Sequence, residues 1–190
     1  MYDTAMNTNQ PLYIFLRGIN VGGVRIVMND LAATLAAAGY GAVQTVLATG
    51  NVVCRPAHVT DTAGYKADIE RLLSDRFGYR ASVHIRRQAD LIRLCAAADL
   101  LHRDATQHCY ALIADSEATI AALGRDYGAI PADPQQQFSA HGADALWVVT
   151  KGQTLTAPFG TIVLGSATYK AKVTSRTIAT IQRLTTIGIL

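Results

Sequence analysis

Three short polar segments contain the side chains that could bind a ligand. The first follows an apolar run and extends from Arg17 to Gly23, with Asn20, Gly22 and Gly23 as its polar and flexible positions. Successive backbone N–H groups beside an arginine can receive an anionic oxygen, and the N-terminus of a helix starting near Asn29 would strengthen that attraction. Alternatively, the glycines only permit a turn with positive φ.

The other two segments lie further along the chain. Thr49 and Asn51 flank Gly50 between two apolar runs, and Arg176 lies in the C-terminal basic segment. We predict that Arg17, Asn20, Asn51 and Arg176 converge on one accessible pocket for a small phosphate- or carboxylate-bearing anion. The predicted ligand-binding residues are Arg17, Asn20, Gly22, Gly23, Thr49, Asn51 and Arg176. The alternative is that these residues serve local caps and turns, with Arg176 solvated.

Common catalytic motifs are absent from the sequence. It contains no G-x-G-x-x-G, no G-x-x-x-x-G-K-[ST] and no G-x-S-x-G. Ser175 has no assignable base, and Asp30 and Asp144 are expected to be a first-turn helix residue and a turn residue. A small phosphotransfer or hydrolytic enzyme that uses the same pocket remains the alternative function.

The charge distribution is uneven. Residues 151–190 contain five lysines and arginines and no acidic residue, whereas the first 150 residues carry a small acidic excess. Such a segment attracts phosphates or carboxylates, although ordinary solubility produces similar surfaces. Nucleic-acid binding is therefore a third candidate function, but aromatic residues make up only 7% of the chain and no RNP1-like pattern occurs.

Cysteine and histidine spacing indicates no cofactor and no metal site. Cys54, Cys95 and Cys109 are scattered and form no C-x-x-C pair, so we expect three free thiols, mostly buried. The five histidines show no H-x-x-x-H or H-E-x-x-H spacing. His84 is expected to face outward from a strand.

Hydrophobic periodicity predicts β-α-β-β-α-β in the first part of the chain. Leu12–Leu16 is a continuous apolar run, typical of an inner strand buried on both faces. The predicted helices cover residues 29–38, with Asn29 as N-cap, and about 60–77, ended by Gly78. The predicted strands that follow them cover 43–48 and 52–54, which form a hairpin, and 80–87.

The remainder repeats β-α-β-β with a spacing of about 95 residues. A helix over 90–98 leads to a strand over 108–114, a helix capped by Ser116, and a hairpin of strands 136–140 and 145–150. Residues 157–160 are predicted as a turn, and 161–164 are ambiguous between helix and strand. The last predicted helix covers Thr174–Ile187, with one apolar face and a neighbouring basic face.

The predicted fold class is α+β, a tandem repeat of two ferredoxin-like halves with a C-terminal basic helix. The halves are expected at 11–88 and 89–190, after a disordered tail at 1–10. No apolar run approaches the roughly 20 residues that span a bilayer, and the first residues do not form a signal peptide. We therefore expect a cytoplasmic protein with no membrane partner.

The three polar segments also resemble a bacterial family, domain of unknown function family 1697. The matching stretches are Leu16–Gly23, Thr49–Val53, and Thr174–Arg176 with Thr180. The resemblance covers about residues 11–188 and implies the tandem α+β architecture, with no established activity. Its first stretch is the most specific of the three.

The chain departs from the family pattern at three positions. Val24 stands where the family often has a basic residue, with Arg25 next, and Thr49 replaces the hairpin serine. Because Thr49 keeps a hydroxyl, we expect the turn to be unchanged. Thr177 replaces an asparagine, so an activity that depended on that amide would be altered here.

Overall fold

The structure, a computed structural model, describes residues 10–19 and 25–187 of the chain, except for the side chain of Leu164. It divides into two units. The first comprises Met1–Ala89 together with Thr186–Leu190, and the second comprises Asp90–Thr185. Each unit contains a four-stranded antiparallel sheet and several helices, so the chain is a mixed α+β protein.

The first unit has the predicted element order. Its elements are β1 (Leu12–Arg17), α1 (Met28–Ala37), β2 (Gly41–Val46), β3 (Asn51–Arg55), α2 (Thr62–Phe77) and β4 (Ser82–Arg87). The strand order is β2-β3-β1-β4, with every neighbouring pair antiparallel. The prediction that Leu12–Leu16 forms an inner strand is confirmed.

Both faces of β1 are buried. Leu12, Ile14 and Leu16 join the core that α1 and α2 complete. Its helical members are Leu31, Leu35, Tyr65, Ile69 and Leu73. Tyr13 and Phe15, which alternate onto the opposite face, are also fully buried, as a continuous apolar run requires.

The expectation for His84 was wrong, because its residue is only 3% exposed. His84 stands opposite Phe15 in the β1–β4 pairing and therefore lies on the second face of the sheet. The polar and apolar alternation along β4 suggested one solvated face. Since this second face is buried as well, alternation alone misplaced the imidazole.

Local signals placed the ends of α2 correctly. The Asp61 side chain accepts a hydrogen bond from the Gly64 N–H at 2.7 Å, and Gly78 ends the helix with φ 66°. The predicted cap of α1 was wrong: the helix begins at Met28 after Val27, whose side chain makes no capping hydrogen bond. Asn29 therefore lies inside the first turn.

The edge strand β2 is irregular. Its register with β3 shifts between Gly41 and Gln44, and Ala42 within the shift has φ 47°. This is a β-bulge, which adds a residue to one strand and increases its local twist.

Helix α3 (Gln88–Asp99) leads into the second unit. The further elements are β5 (Gln107–Ala114), α4 (Glu117–Ala129), β6 (Gln137–His141), β7 (Asp144–Thr150), α5 (Pro158–Gly160), a π-helical turn (Thr161–Gly165), α6 (Ala167–Lys170), β8 (Val173–Thr177) and α7 (Ile178–Thr185). The strand order is β6-β7-β5-β8. The predicted cap is confirmed, since the Ser116 hydroxyl accepts from the Thr119 N–H.

The predicted last helix was wrong over its first residues. Residues Val173–Thr177 form β8, in which Arg176 pairs with Ala111 of β5, and only Ile178–Thr185 is helical. The apolar face of that helix is confirmed, because Ile178, Ile181 and Leu184 are buried. Arg176 therefore belongs to a strand and not to a basic helix face.

Aromatic rings fill the core of the second unit. The Phe159 ring packs edge-on against those of Trp147, Tyr127 and Phe138, with centroids 5.0–5.5 Å apart. Such pairs add to the free energy gained from burying their area.

Within the described part of the chain, no helix is long and apolar enough to cross a bilayer.

Candidate functional site

The candidate site of the first unit lies where β1 ends beside the β2–β3 turn. Arg17 is the last residue of β1 and stands opposite Ser82 of β4. One residue earlier, the Leu16 N–H donates to the carbonyl oxygen of Gly50 at 2.7 Å. This hydrogen bond ties the residue just before the first polar segment to the second polar segment.

The β2–β3 turn contains two residues in the left-handed region. Gly50 has φ 74°, and Leu47 has φ 59° with 47% of its surface exposed. For a residue other than glycine this conformation costs roughly 1–2 kcal/mol. Backbone strain of this kind is concentrated at functional sites. The sequence pattern gave no sign of it, because leucine is not a turn-forming residue.

Gly50 is required by close packing as well as by its dihedral angle. A Cβ atom at this position would lie 2.6 Å from Ile19 Cδ1 and 2.8 Å from Leu16 Cβ. The turn is therefore pressed against the segment that leaves β1. A side chain at position 50 would separate the two.

Asn51 holds the turn closed. Its amide nitrogen donates to the Val46 carbonyl oxygen at 2.9 Å and to the Thr49 hydroxyl at 2.8 Å, and the residue is fully buried. Thr49 itself is exposed. The structure thus brings Thr49 and Asn51 together beside the end of β1. The Asn51 amide therefore positions the turn, and contact of Asn51 with a ligand remains a prediction.

Arg17 supplies the positive charge at this end of the sheet. The residue is half-buried, and burial lowers the pKa of its guanidinium. A guanidinium remains charged at every physiological pH. Burial removes part of its hydration, so an anion that reached it would interact more strongly than at a fully solvated arginine.

The other predicted residues are not among the described residues of the first unit. Asn20, Gly22 and Gly23 lie outside the described residues. Arg176 lies in the second unit, where its guanidinium donates to the Thr174 hydroxyl and the Ser175 carbonyl oxygen, both at 2.8 Å. A pocket shared by Arg17 and Arg176 remains a prediction.

Potential nucleophiles and metal ligands are not gathered at this site. All three cysteines are free, and burial raises the pKa of Cys54 to about 12 and of Cys109 to about 11. These thiols are therefore protonated at neutral pH, and a thiol is a far weaker nucleophile than a thiolate. Across residues 10–19 and 25–187, no three His, Cys, Asp or Glu side chains come together as metal ligands.

Comparisons with known proteins agree with the described fold. A family model described as "Protein of unknown function (DUF1697)" matches residues 10–143. The fold is similar to a solved structure, the conserved bacterial protein SP0830 from Streptococcus pneumoniae, with a TM-score of 0.73 and 16% sequence identity. The aligned region covers 93% of this chain and 96% of the Streptococcus pneumoniae chain. No curated protein matches the sequence significantly. At that identity the structural likeness shows the fold alone.

Proposed function

This chain belongs to the family of proteins of unknown function DUF1697, and we propose that its first unit binds a small anion bearing a phosphate or carboxylate group. The site is the end of β1 beside the β2–β3 turn. Arg17 contacts the anion, while Asn51 and Thr49 hold the turn that borders it.

The partial burial of Arg17 is the observation that carries the proposal. A half-buried guanidinium forms stronger charge-assisted hydrogen bonds than an exposed one, and its planar fork matches the oxygens of phosphate and carboxylate. A lysine would provide a charge without that geometry. The binding group is thus specific in shape as well as in charge.

The fixed geometry of the turn supports the same proposal. The Leu16–Gly50 and Asn51–Val46 hydrogen bonds hold the turn before any ligand arrives. A preformed site loses less conformational entropy on binding. The strained φ of Leu47 is an energetic cost that a purely structural turn could avoid with glycine or asparagine.

Binding without turnover accounts best for the described residues of the first unit. The pKa of Cys54 is raised to about 12, so this thiol is not an activated nucleophile. The His84 residue is only 3% exposed and is not displayed at the surface. The phosphotransfer or hydrolytic alternative would need a general base that no described residue of the β2–β3 turn provides.

We also propose that the two halves are ferredoxin-like repeats. The second unit repeats the strand order of the first, with β6, β7, β5 and β8 in the places of β2, β3, β1 and β4. A split β-α-β-β-α-β unit has this order. In the second unit the segment between β7 and β8 consists of short helical turns in place of one long helix.

Thermal-shift and calorimetric measurements test the anion site. The probes are inorganic phosphate, ribose 5-phosphate, AMP and a short single-stranded oligonucleotide. A probe at a hundred times its Kd should raise the Tm of a protein of this size by roughly 5–10 °C. Arg17→Gln should abolish that shift, and Arg17→Lys should retain only part of it.

Arg71→Gln is the matched control, because it also removes one arginine, whose side chain is 71% exposed on α2. It should leave the ligand-induced shift unchanged. If no probe stabilises the protein, or if Arg17→Gln responds as the wild type does, the proposal is wrong. A response to the oligonucleotide alone would favour nucleic-acid binding instead.

A further inference from the structure

A separate cavity lies in the second unit, after the C-terminus of α4. It has a volume of about 370 Å³, is open to solvent at the exposed Pro131 and Pro134, and is lined mainly by apolar groups. Its lining includes Tyr127, Ile130, Pro131, Asp133, Pro134 and Gln136. Small-molecule sites of proteins have volumes of roughly 300–1,000 Å³, apolar walls and a few fixed polar groups. This cavity has those properties, and none of its residues belongs to the anion site proposed above.

The charged wall of the cavity is held in place by hydrogen bonds. Asp133 accepts from the Gln135 N–H through one oxygen and from the Gln136 side chain through the other, each at 2.9 Å. The Gln136 side chain in turn accepts from the Trp147 indole N–H at 3.2 Å. The carboxylate is therefore fixed to the aromatic core of the unit. Two prolines limit the movement of the same loop.

The Asp133 carboxylate stays ionised and is not held in an ion pair by any described residue. Hydrogen bonds from Gln136 and Gln135 lower its pKa. Within residues 10–19 and 25–187, no Lys, Arg or His forms an ion pair with it. Each of its oxygens accepts one of these hydrogen bonds, so the group can still attract a positive charge.

Tyr127 provides an aromatic surface beside that carboxylate. Its ring stacks on Phe138 with centroids 5.4 Å apart and meets Phe159 edge to face. Tyr127 and Asp133 line the same cavity, and burial together with the charge of Asp133 raises the pKa of the Tyr127 phenol. A ring and a carboxylate that share one cavity wall suit an organic cation.

From the cavity, the carboxylate and the ring, we propose that the second unit binds a small quaternary ammonium compound of the choline type. A primary ammonium needs three hydrogen-bond acceptors, and this mostly apolar cavity offers few. A quaternary ammonium needs none, since its methyl groups make apolar contacts while its charge interacts with Asp133 and with the face of Tyr127.

Isothermal titration calorimetry with choline and tetramethylammonium tests the proposal, with 3,3-dimethyl-1-butanol as the uncharged isostere of choline. Both cations should bind at least about tenfold more tightly than the alcohol. The chain has a single tryptophan. Because Gln136 links Trp147 to the cavity wall, the tryptophan fluorescence should change as the cations bind.

Three variants and one control assign the site. Asp133→Asn should weaken choline binding about tenfold and Tyr127→Leu about 5- to 30-fold, whereas Tyr127→Phe keeps the ring and should bind normally. Asp104→Asn is the control, because Asp104 accepts hydrogen bonds from Thr106 in a similar turn outside the cavity. Far-ultraviolet circular dichroism and Tm identify any variant that fails to fold.

Equal affinity for the alcohol and for choline would overturn the proposal. So would normal choline binding by Asp133→Asn, or the absence of binding by the wild type at about 50 mM, which lies beyond millimolar affinity. If Tyr127→Leu unfolds, the Asp133→Asn and Tyr127→Phe results still decide. The anion site is tested by different ligands and variants, so the two proposals fail independently.

Discussion

Gly50 lies so close to Ile19 that a methyl group at position 50 would come within 2.6 Å of the Ile19 Cδ1 atom. Gly50→Ala would also place alanine at φ 74°. The combined strain and overlap should lower the free energy of unfolding by about 2–4 kcal/mol. Urea denaturation of the variant measures this loss.

Gly78→Ala separates the two causes. Gly78 has φ 66°, but a Cβ atom there meets nothing within 4 Å. Its replacement should cost only the conformational part, about 1–2 kcal/mol. Equal losses for the two variants would show that the contact with Ile19 is unimportant.

The amide of Asn51 should be essential to the turn. Asn51→Asp replaces a donor by an acceptor, so the Val46 carbonyl oxygen loses its hydrogen bond, while the Thr49 hydroxyl must rotate to donate instead of accept. We expect a loss of about 1–3 kcal/mol, measured by chemical denaturation at pH 7. Thr49→Ser keeps the hydroxyl and should be nearly neutral, while Thr49→Val should destabilise. An Asn51→Asp variant with an unchanged free energy of unfolding would contradict the positioning role.

Tyr169 should make the protein less stable at alkaline pH. Its hydroxyl donates to Asp126 at 2.6 Å, and burial together with this carboxylate raises its pKa to about 12. An unfolded tyrosine has a pKa of about 10, so above pH 10 the unfolded chain releases the proton first and becomes favoured. The stabilisation is complete below about pH 10 and is lost as pH rises towards 12.

Comparison with Tyr169→Phe isolates this effect from other groups that titrate in the same range. Between pH 8 and about 10.5 the wild type should lose roughly 0.5–1 kcal/mol more than the variant. The measurement is urea denaturation of both proteins at the two pH values. Parallel losses would mean that the folded-state pKa of Tyr169 is ordinary.

The cysteines should differ in reactivity. Cys54 and Cys109 are buried with raised pKa values of about 12 and about 11, whereas Cys95 is only half-buried. Iodoacetamide should therefore modify Cys95 first in the native protein, and all three only after denaturation. Peptide mass spectrometry identifies the labelled residue. Early labelling of Cys54 would show that the first unit opens readily.

Sequence periodicity was reliable where an element is determined by its own residues. The inner strand Leu12–Leu16, the end of α2 at Gly78 and the cap at Ser116 were all predicted, because buried apolar runs and helix-end signals act within a few residues. These signals do not depend on the rest of the fold.

The errors in predicted secondary structure arose where contacts with residues distant in sequence decide whether a segment forms a strand or a helix. Residues Val173–Thr177 have β-branched positions but join without a break to a helical pattern, and their pairing partner β5 lies about 60 residues earlier in the chain. No local pattern reveals that pairing. Thr177 offered a weak local indication that the helix starts after it, because threonine is a common N-cap residue. In the structure its hydroxyl accepts a hydrogen bond from the Thr180 N–H, as an N-cap side chain does.

The candidate site was predictable only in part, for the same reason. The polar residues of the β2–β3 turn stand out by type, and their closeness to the end of β1 follows from strand pairing. The strain at Leu47 and the burial of Asn51 depend on packing across the sheet. Side-chain type therefore indicated the candidate turn, and the tertiary structure decided which of its residues are exposed.

The bulge in β2 affects how copies of this protein behave together. An edge strand offers unpaired N–H and C=O groups on which another chain can build a strand. The shifted register between Gly41 and Gln44, with Ala42 at φ 47°, interrupts that row of groups. A strand added at this edge could not form an uninterrupted ladder, so the bulge protects the first sheet against edge-to-edge aggregation.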